Sequence, residues 1–350
     1  MASRRGFLAG LIAAGVFPAP TWADAGAPKY ISAARTADGA YVLVGVSMEG
    51  TETFRLPLPG RGHAATAHPR LPHAVAFARR PGRFAVVLDC RDGTTLATLD
   101  SPVGLHFYGH GTYDASGGLL FTTENDFENG QGRIGVWDVT KGYKRIGEFS
   151  SQGIGPHDIR LMPDDTLVIA NGGIDTHPET GRQKLNLATM QPNLSYVTQN
   201  GELLDQIMPS QHHASIRHLS VHSDGTVAVG MQWQGDTSRA PALIGLHKRG
   251  REMALLGAGD VLDGYVGSIA FSNDGTQVAA TSPRSGQMQI FSTRDRTLIQ
   301  TLTQPDICGA APFTAGFIAT TGQGQILSSG KGTRELNTFD LAWDNHLVPL

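Results

Sequence analysis

The chain has 350 residues, 44 of them glycine and 40% hydrophobic, so it can bury a large core and make many tight turns, which excludes disorder and collagen-like repeats. Its 28 basic and 31 acidic residues leave a formal charge of −3, a balance that offers no basic face for nucleic acid. No apolar run reaches the roughly 18 residues that a membrane-spanning helix needs, and no heptads occur.

The first element in chain order is a leader. Ser3-Arg4-Arg5-Gly6-Phe7-Leu8 precedes an apolar stretch to Phe17, then Pro18 and small residues ending in Ala23-Asp24-Ala25. A charged front, a short apolar middle and an A-x-A site predict a secretory signal over residues 1–25, and the paired arginines predict export to the periplasm by the twin-arginine route. Residues 26–350 then form the mature protein, with no membrane insertion once the signal is removed and a monomer expected. That compartment permits a disulfide, but Cys90 and Cys308 fall in different modules and are expected to be two separate thiols.

Beyond the leader the sequence repeats. Ser268-Ile-Ala-Phe-Ser turns at Asn273-Asp274-Gly275, returns as Gln277-Val-Ala-Ala-Thr-Ser, turns again at Arg284-Ser285-Gly286, and continues through Gln289-Ile290-Phe291 and Leu298-Ile-Gln-Thr-Leu. These are four runs of strand length with β-branched and aromatic residues alternating between turns. The first turn recurs at Asp38-Gly39, Pro81-Gly82, Ser116-Gly117, Asp164-Asp165, Asp224-Gly225, Asp274-Gly275 and Ala315-Gly316, at intervals of 35 to 60 residues. Modules of this size match the four-stranded blade of a propeller. The expectation is an all-β fold: one seven-bladed β-propeller of four-stranded blades. Residues 30–59 resemble an incomplete first module, and residues 336–350 supply strand material, so the N- and C-terminal strands are expected to close the ring together.

The first strand of each blade lines the central channel, and its opening residues sit at one rim. At those positions the chain carries Ser32, His73, His110, His157 with Asp158, Arg217 with His218, Ser268, and Cys308 with Gly309. Histidine is 13 of 350 residues, so four in seven such slots exceeds chance. Imidazole is a common ligand for Fe, Cu and Zn, and His110, His157 and His218 are the expected metal ligands. Hydrogen-bonded filling of the channel is the competing account. His213 precedes the fifth blade on the same rim, whereas His63, His68, His106, His222 and His247 are assigned ordinary surface or strand positions. Asn125 and Asp126 follow the second strand of blade three. The long segment 171–194 interrupts blade four with His177, Arg182 and Asn186, and is expected to cap the channel on the histidine rim. Arg182 suits an anionic group. No G-x-S-x-G, P-loop or H-E-x-x-H occurs.

Single blades resemble the YVTN/WD40-like propeller repeat, best over residues 266–292. Tyr108-Gly-His-Gly111, Thr123-Glu-Asn-Asp126, Gly155-Pro-His-Asp158, the run from Asn171 to Arg182, His212-His-Ala-Ser-Ile-Arg217 and Trp343-Asp-Asn-His346-Leu together resemble a bacterial periplasmic family, domain of unknown function 1513. The resemblance implies no defined activity. It does imply association with imelysin-type (EfeO-like) iron-uptake proteins, and hence a periplasmic binding or accessory role in iron acquisition. The ligand would be a metal or a small anionic metal complex. The alternatives are a metal-dependent oxidase, lyase or hydrolase with Asp158 or Asp126 orienting a rim histidine as base, and a scaffold that docks other proteins.

Overall fold

The structure, a computed structural model, describes residues 19–79, 83–181, 183–257, 261–330 and 332–350. Short β-branched and aromatic runs separated by Gly- and Asp-rich turns are too brief to nucleate helices, and they pair with the next run along the chain. The result is seven antiparallel sheets in a ring, each a meander of four strand positions. Six blades run inside to outside in chain order. Their innermost strands are Gly62–Ala67, Leu105–Tyr113, Pro156–Leu161, Ala214–Val221, Ser268–Phe271 and Ile307–Phe313. Each inner strand touches the inner strand of the next blade, so together they wall the channel.

The first blade closes the ring. Tyr30–Thr36, Tyr41–Val46 and Glu52–Leu58 are its second, third and fourth strands, and the innermost position is taken by two C-terminal pieces, Leu341–Trp343 and Val348–Pro349, both antiparallel to Tyr30–Thr36. The seven-bladed propeller and its mixed-terminus closure therefore follow the expectation. Between blades the faces pack dry: Val75, Phe77 and Val87 of blade two meet Phe107, Leu120 and Trp137 of blade three. Cys90 and Cys308 are buried as separate thiols in different clusters.

Two modules are framed differently from the sequence expectation. Asp38-Gly39 joins the second and third strands of blade one, because the inner strand arrives from the far end of the chain. In blade two, Pro81-Gly82 lies outside the described residues, but the flanking strands His73–Ala78 and Ala85–Asp89 are again second and third. The true first turn there, residues 68–72, has no glycine. His68 makes it instead: its Nδ1 accepts the backbone N–H groups of Arg70 and Leu71 at 3.0 and 2.8 Å. Residues 1–18, most of the expected leader, lie outside the described residues. Trp22–Ala25 forms one 3₁₀ turn on the ring, where the Trp22 indole donates to the His68 carbonyl at 2.9 Å.

Candidate functional site

The inner strands are irregular where they meet at one level of the channel. Their register with the second strand shifts between Gly62 and Ala65, between Phe107 and Gly111, between Pro156 and Asp158, and between Ile216 and His218. Each shift is a bulge that leaves residues out of the ladder and re-aims their side chains. The displaced or adjoining residues are His63, His110, His157 and Arg217 with His218. The closing blade achieves the same by a gap, since His346 sits between its two inner pieces.

Five imidazoles consequently meet in the middle of the channel. His110 lies 4.9 Å from His63, 4.9 Å from His157 and 4.7 Å from His346 between ring centroids. His218 lies 5.0 Å from His157 and 5.1 Å from His346. Close approach of His63 depends on Gly109, whose φ is +107°: a Cβ there would stand 2.6 Å from the His63 ring.

Three contacts orient the rings. Asp158, 1% exposed, places a carboxylate oxygen 3.3 Å from His110 Nδ1, and the Arg217 carbonyl lies 2.8 Å from His157 Nδ1. Carboxylate and carbonyl oxygens only accept, so both histidines carry a proton on Nδ1, which leaves Nε2 as the lone-pair nitrogen of each ring in its neutral form. The His110 Nε2 stands 3.2 Å from His63 Nε2. Among the described residues, neither ring nitrogen of buried His218, nor Nε2 of His346, has a hydrogen-bond partner. Asp158 is itself held by the backbone N–H groups of Ile159 and Leu219 and by Arg160.

Burial disfavours the charged form of three of the five imidazoles. Burial, then the charge of His110, pushes His218 down to about 3, and burial, with neighbouring charges including His110, lowers His157 and His346 well below the usual imidazole value. Burial alone would raise the Asp158 carboxyl, but Arg160 and His110 outweigh it and hold the group far below the ordinary carboxylate range. Neutral imidazoles offer lone pairs, and two triads have ligand atoms within 4.8 Å of one another: His63, His110, His346 and His110, His157, His218. The three ligands expected from sequence thus form one of the triads. Two imidazole nitrogens bound to one zinc-like ion at ~2.05 Å in a tetrahedron stand about 3.3 Å apart, close to the His63–His110 separation. The Asp158–His110 pair has the carboxylate–histidine form that orients metal-ligating imidazoles.

Above the cluster, on the rim where the inner strands begin, opens a cavity of about 540 Å³ whose floor includes His63, His157 and His218. Lys184 of the 171–194 segment lines it, so the segment does lie at the histidine rim.

The remaining expected site residues are elsewhere. His73 is a correction: it opens a second strand rather than an inner one, and bonds the Tyr143 hydroxyl at 3.1 Å beside His68, at the opposite end of the blade from His63. Asn125, fully buried, donates to the Thr176 carbonyl, and Asp126 accepts from Asn129 and faces Arg133; as second-strand residues both stand one layer away from the channel. His177 caps the short turn Pro178–Thr180 and packs on Phe127. Asn186 is used within its own segment, bonding Asp175 and Gly173. His213 packs edge-on against Trp233 at 5.6 Å, at the flank of the mouth. Arg182 lies outside the described residues. Arg217 does line the cavity.

Sequence reasoning missed His63 and His346. His63 lies in Gly62-His-Ala-Ala-Thr-Ala67, a run of small residues with little strand propensity. His346 would have emerged had the tail been aligned as the seventh inner strand. His106 and His247 do hold strand positions, buried ones, and His68 is buried in a turn; His247, for example, bridges the Tyr196 hydroxyl and the Arg251 carbonyl.

Comparison with known proteins finds no relative among the curated proteins. Among solved structures, Kuenenia stuttgartiensis hydrazine synthase is similar with a TM-score of 0.58 and 12% identity, over 85% of this chain and 89% of that one, a likeness of fold alone. A family model described as "Protein of unknown function (DUF1513)" matches residues 56–350, which include all five channel histidines, and on that match the chain belongs to this family.

Proposed function

We propose that this propeller binds a transition metal, iron, copper or zinc, through the imidazoles of its channel, and serves as a periplasmic binding or accessory protein in iron acquisition. The observation that carries the metal reading is His218. A buried imidazole with both nitrogens unpartnered costs free energy unless something else satisfies it, and His218 sits within ligand reach of two rings whose Nε2 atoms are fixed by Asp158 and the Arg217 carbonyl. The periplasmic setting and the link to iron rest on the twin-arginine leader and the family resemblance. Metal analysis of protein purified from the periplasm tests the reading: about one equivalent per chain is expected. A His110→Ala/His157→Ala variant should lose it while keeping its β circular dichroism, since Asp158 retains Arg160 and two backbone donors. Metal retained by that variant would overturn the assignment.

A second reading, a metal-dependent enzyme, has one observation in its favour. Three histidines fill three positions of a tetrahedral ion and leave the fourth open, here toward a cavity large enough for a small substrate. Turnover by the metal-loaded protein that is lost in the double variant would favour it.

A further inference from the structure

The mouth of the channel is cationic. Arg61, Arg79, Lys184, Arg217 and Arg284 line the cavity, with Asp306 as the one carboxylate among the described lining residues. Behind them Asp344 is committed to Arg61 and Arg79, at 3.0 and 2.8 Å. On the opposite side no ion pair neutralises Lys184 or Arg284 among the described residues: Lys184 donates to the Gln234 side chain at 2.6 Å, and the Arg284 guanidinium lies 4.5 Å over the Tyr265 ring. Partial burial, with the charges of Arg217 and Arg284, lowers the Lys184 pKa. The groove at the other end of the channel is lined by Arg160 and His346 among neutral residues, and Arg160 is paired with buried Asp158.

This distribution is wrong for a bare cation. Like charges repel and unlike charges attract strongly at a partly buried mouth, so a divalent ion entering past several guanidinium groups is repelled where an anion is drawn in. The cavity also exceeds what a single phosphate or carboxylate would fill, and its cations are spread over several blades. We propose that the mouth is a binding subsite for a multivalent oxyanion, of carboxylate or phosphate chemistry, seated between Lys184, Arg217 and Arg284, and that metal reaches the imidazoles as the complex of such an anion. The second clause rests on the metal reading above; the first does not.

Calorimetric titration of the metal-free protein with citrate, with pyrophosphate and with zinc chloride separates the cases. Citrate or pyrophosphate should bind, whichever is tighter identifying the chemistry, and affinity should weaken about tenfold or more between low and high salt. Lys184→Ala/Arg284→Gln should weaken anion binding at least about tenfold and should not weaken zinc binding, because removing two cations from the mouth eases rather than hinders the approach of a divalent ion. Wild type should retain ferric citrate through gel filtration and the variant should not. Failure of both anions to bind overturns the subsite even where zinc binds. Anion binding with no metal retained in any form upholds the subsite and overturns the metal reading.

Discussion

At the scale of single residues, the channel is a set of buried polar groups whose protonation state is imposed by burial. The unfolded chain protonates histidine near its ordinary value of about 6.5, whereas the folded protein resists protonating His218 until about 3, with His157 and His346 also shifted down. The unfolded state therefore binds more protons below that ordinary value. Stability of the metal-free protein is fully present above it and falls as pH drops through the window toward 3, by up to about 1.4 kcal/mol per pH unit for each such imidazole. Asp158 acts further down: its depressed carboxyl stabilises the fold above its unfolded value, and that contribution disappears only as strong acid protonates it. Urea midpoints at pH 7.5 and 5.0 should differ by several tenths of a molar or more, and His218→Gln should shrink the difference. A flat profile would mean that the fold does not lower the pKa of these imidazoles.

At the scale of elements, the closing strand does two jobs. Leu341, Trp343, Leu347 and Val348 are buried against the first blade and its neighbours, and the same segment delivers His346 to the cluster. Trp343 packs on Phe339 and donates its indole N–H to the Gly324 carbonyl at 3.1 Å. Trp343→Ala should lower unfolding free energy by about 3–5 kcal/mol, read from denaturant midpoints, as expected for an aromatic core side chain. A loss under about 1 kcal/mol would indicate a ring that does not depend on this strand. The 171–194 segment is likewise built into the fold while it lines the cavity. Ile174 and Met190 are buried, and the Tyr108 hydroxyl lies 3.1 Å from that of Thr176, so removing the segment would expose core as well as cavity.

At the scale of the whole molecule, the leader and the ring make a joint expectation. Arg4-Arg5→Lys-Lys should leave the protein in the cytoplasm, checked by fractionation, because the arginine pair is what the translocase reads; normal periplasmic yield would point to the general secretory route. The blade count, the four-stranded meander and one metal-capable triad were legible in the sequence alone. Strand turns and inner-strand histidines are local features: five of the seven modules place the turn between first and second strands, and three of those five carry the channel histidine. What the tertiary structure decided was everything that depended on closure. The ring places the last strand inside the first blade, which shifts the frame of the first module, and the glycine-free turn at His68 hid the inner strand of the second. His73 consequently moves away from the channel, while His63 and His346 enter it. Alternation and turn chemistry are written residue by residue, but which side chains converge at the axis depends on bulges and on contacts between strands more than 200 residues apart, as between Ser32 and His346. The cationic mouth has the same origin: its arginines and lysine come from different blades, and only the closed ring turns them into one field.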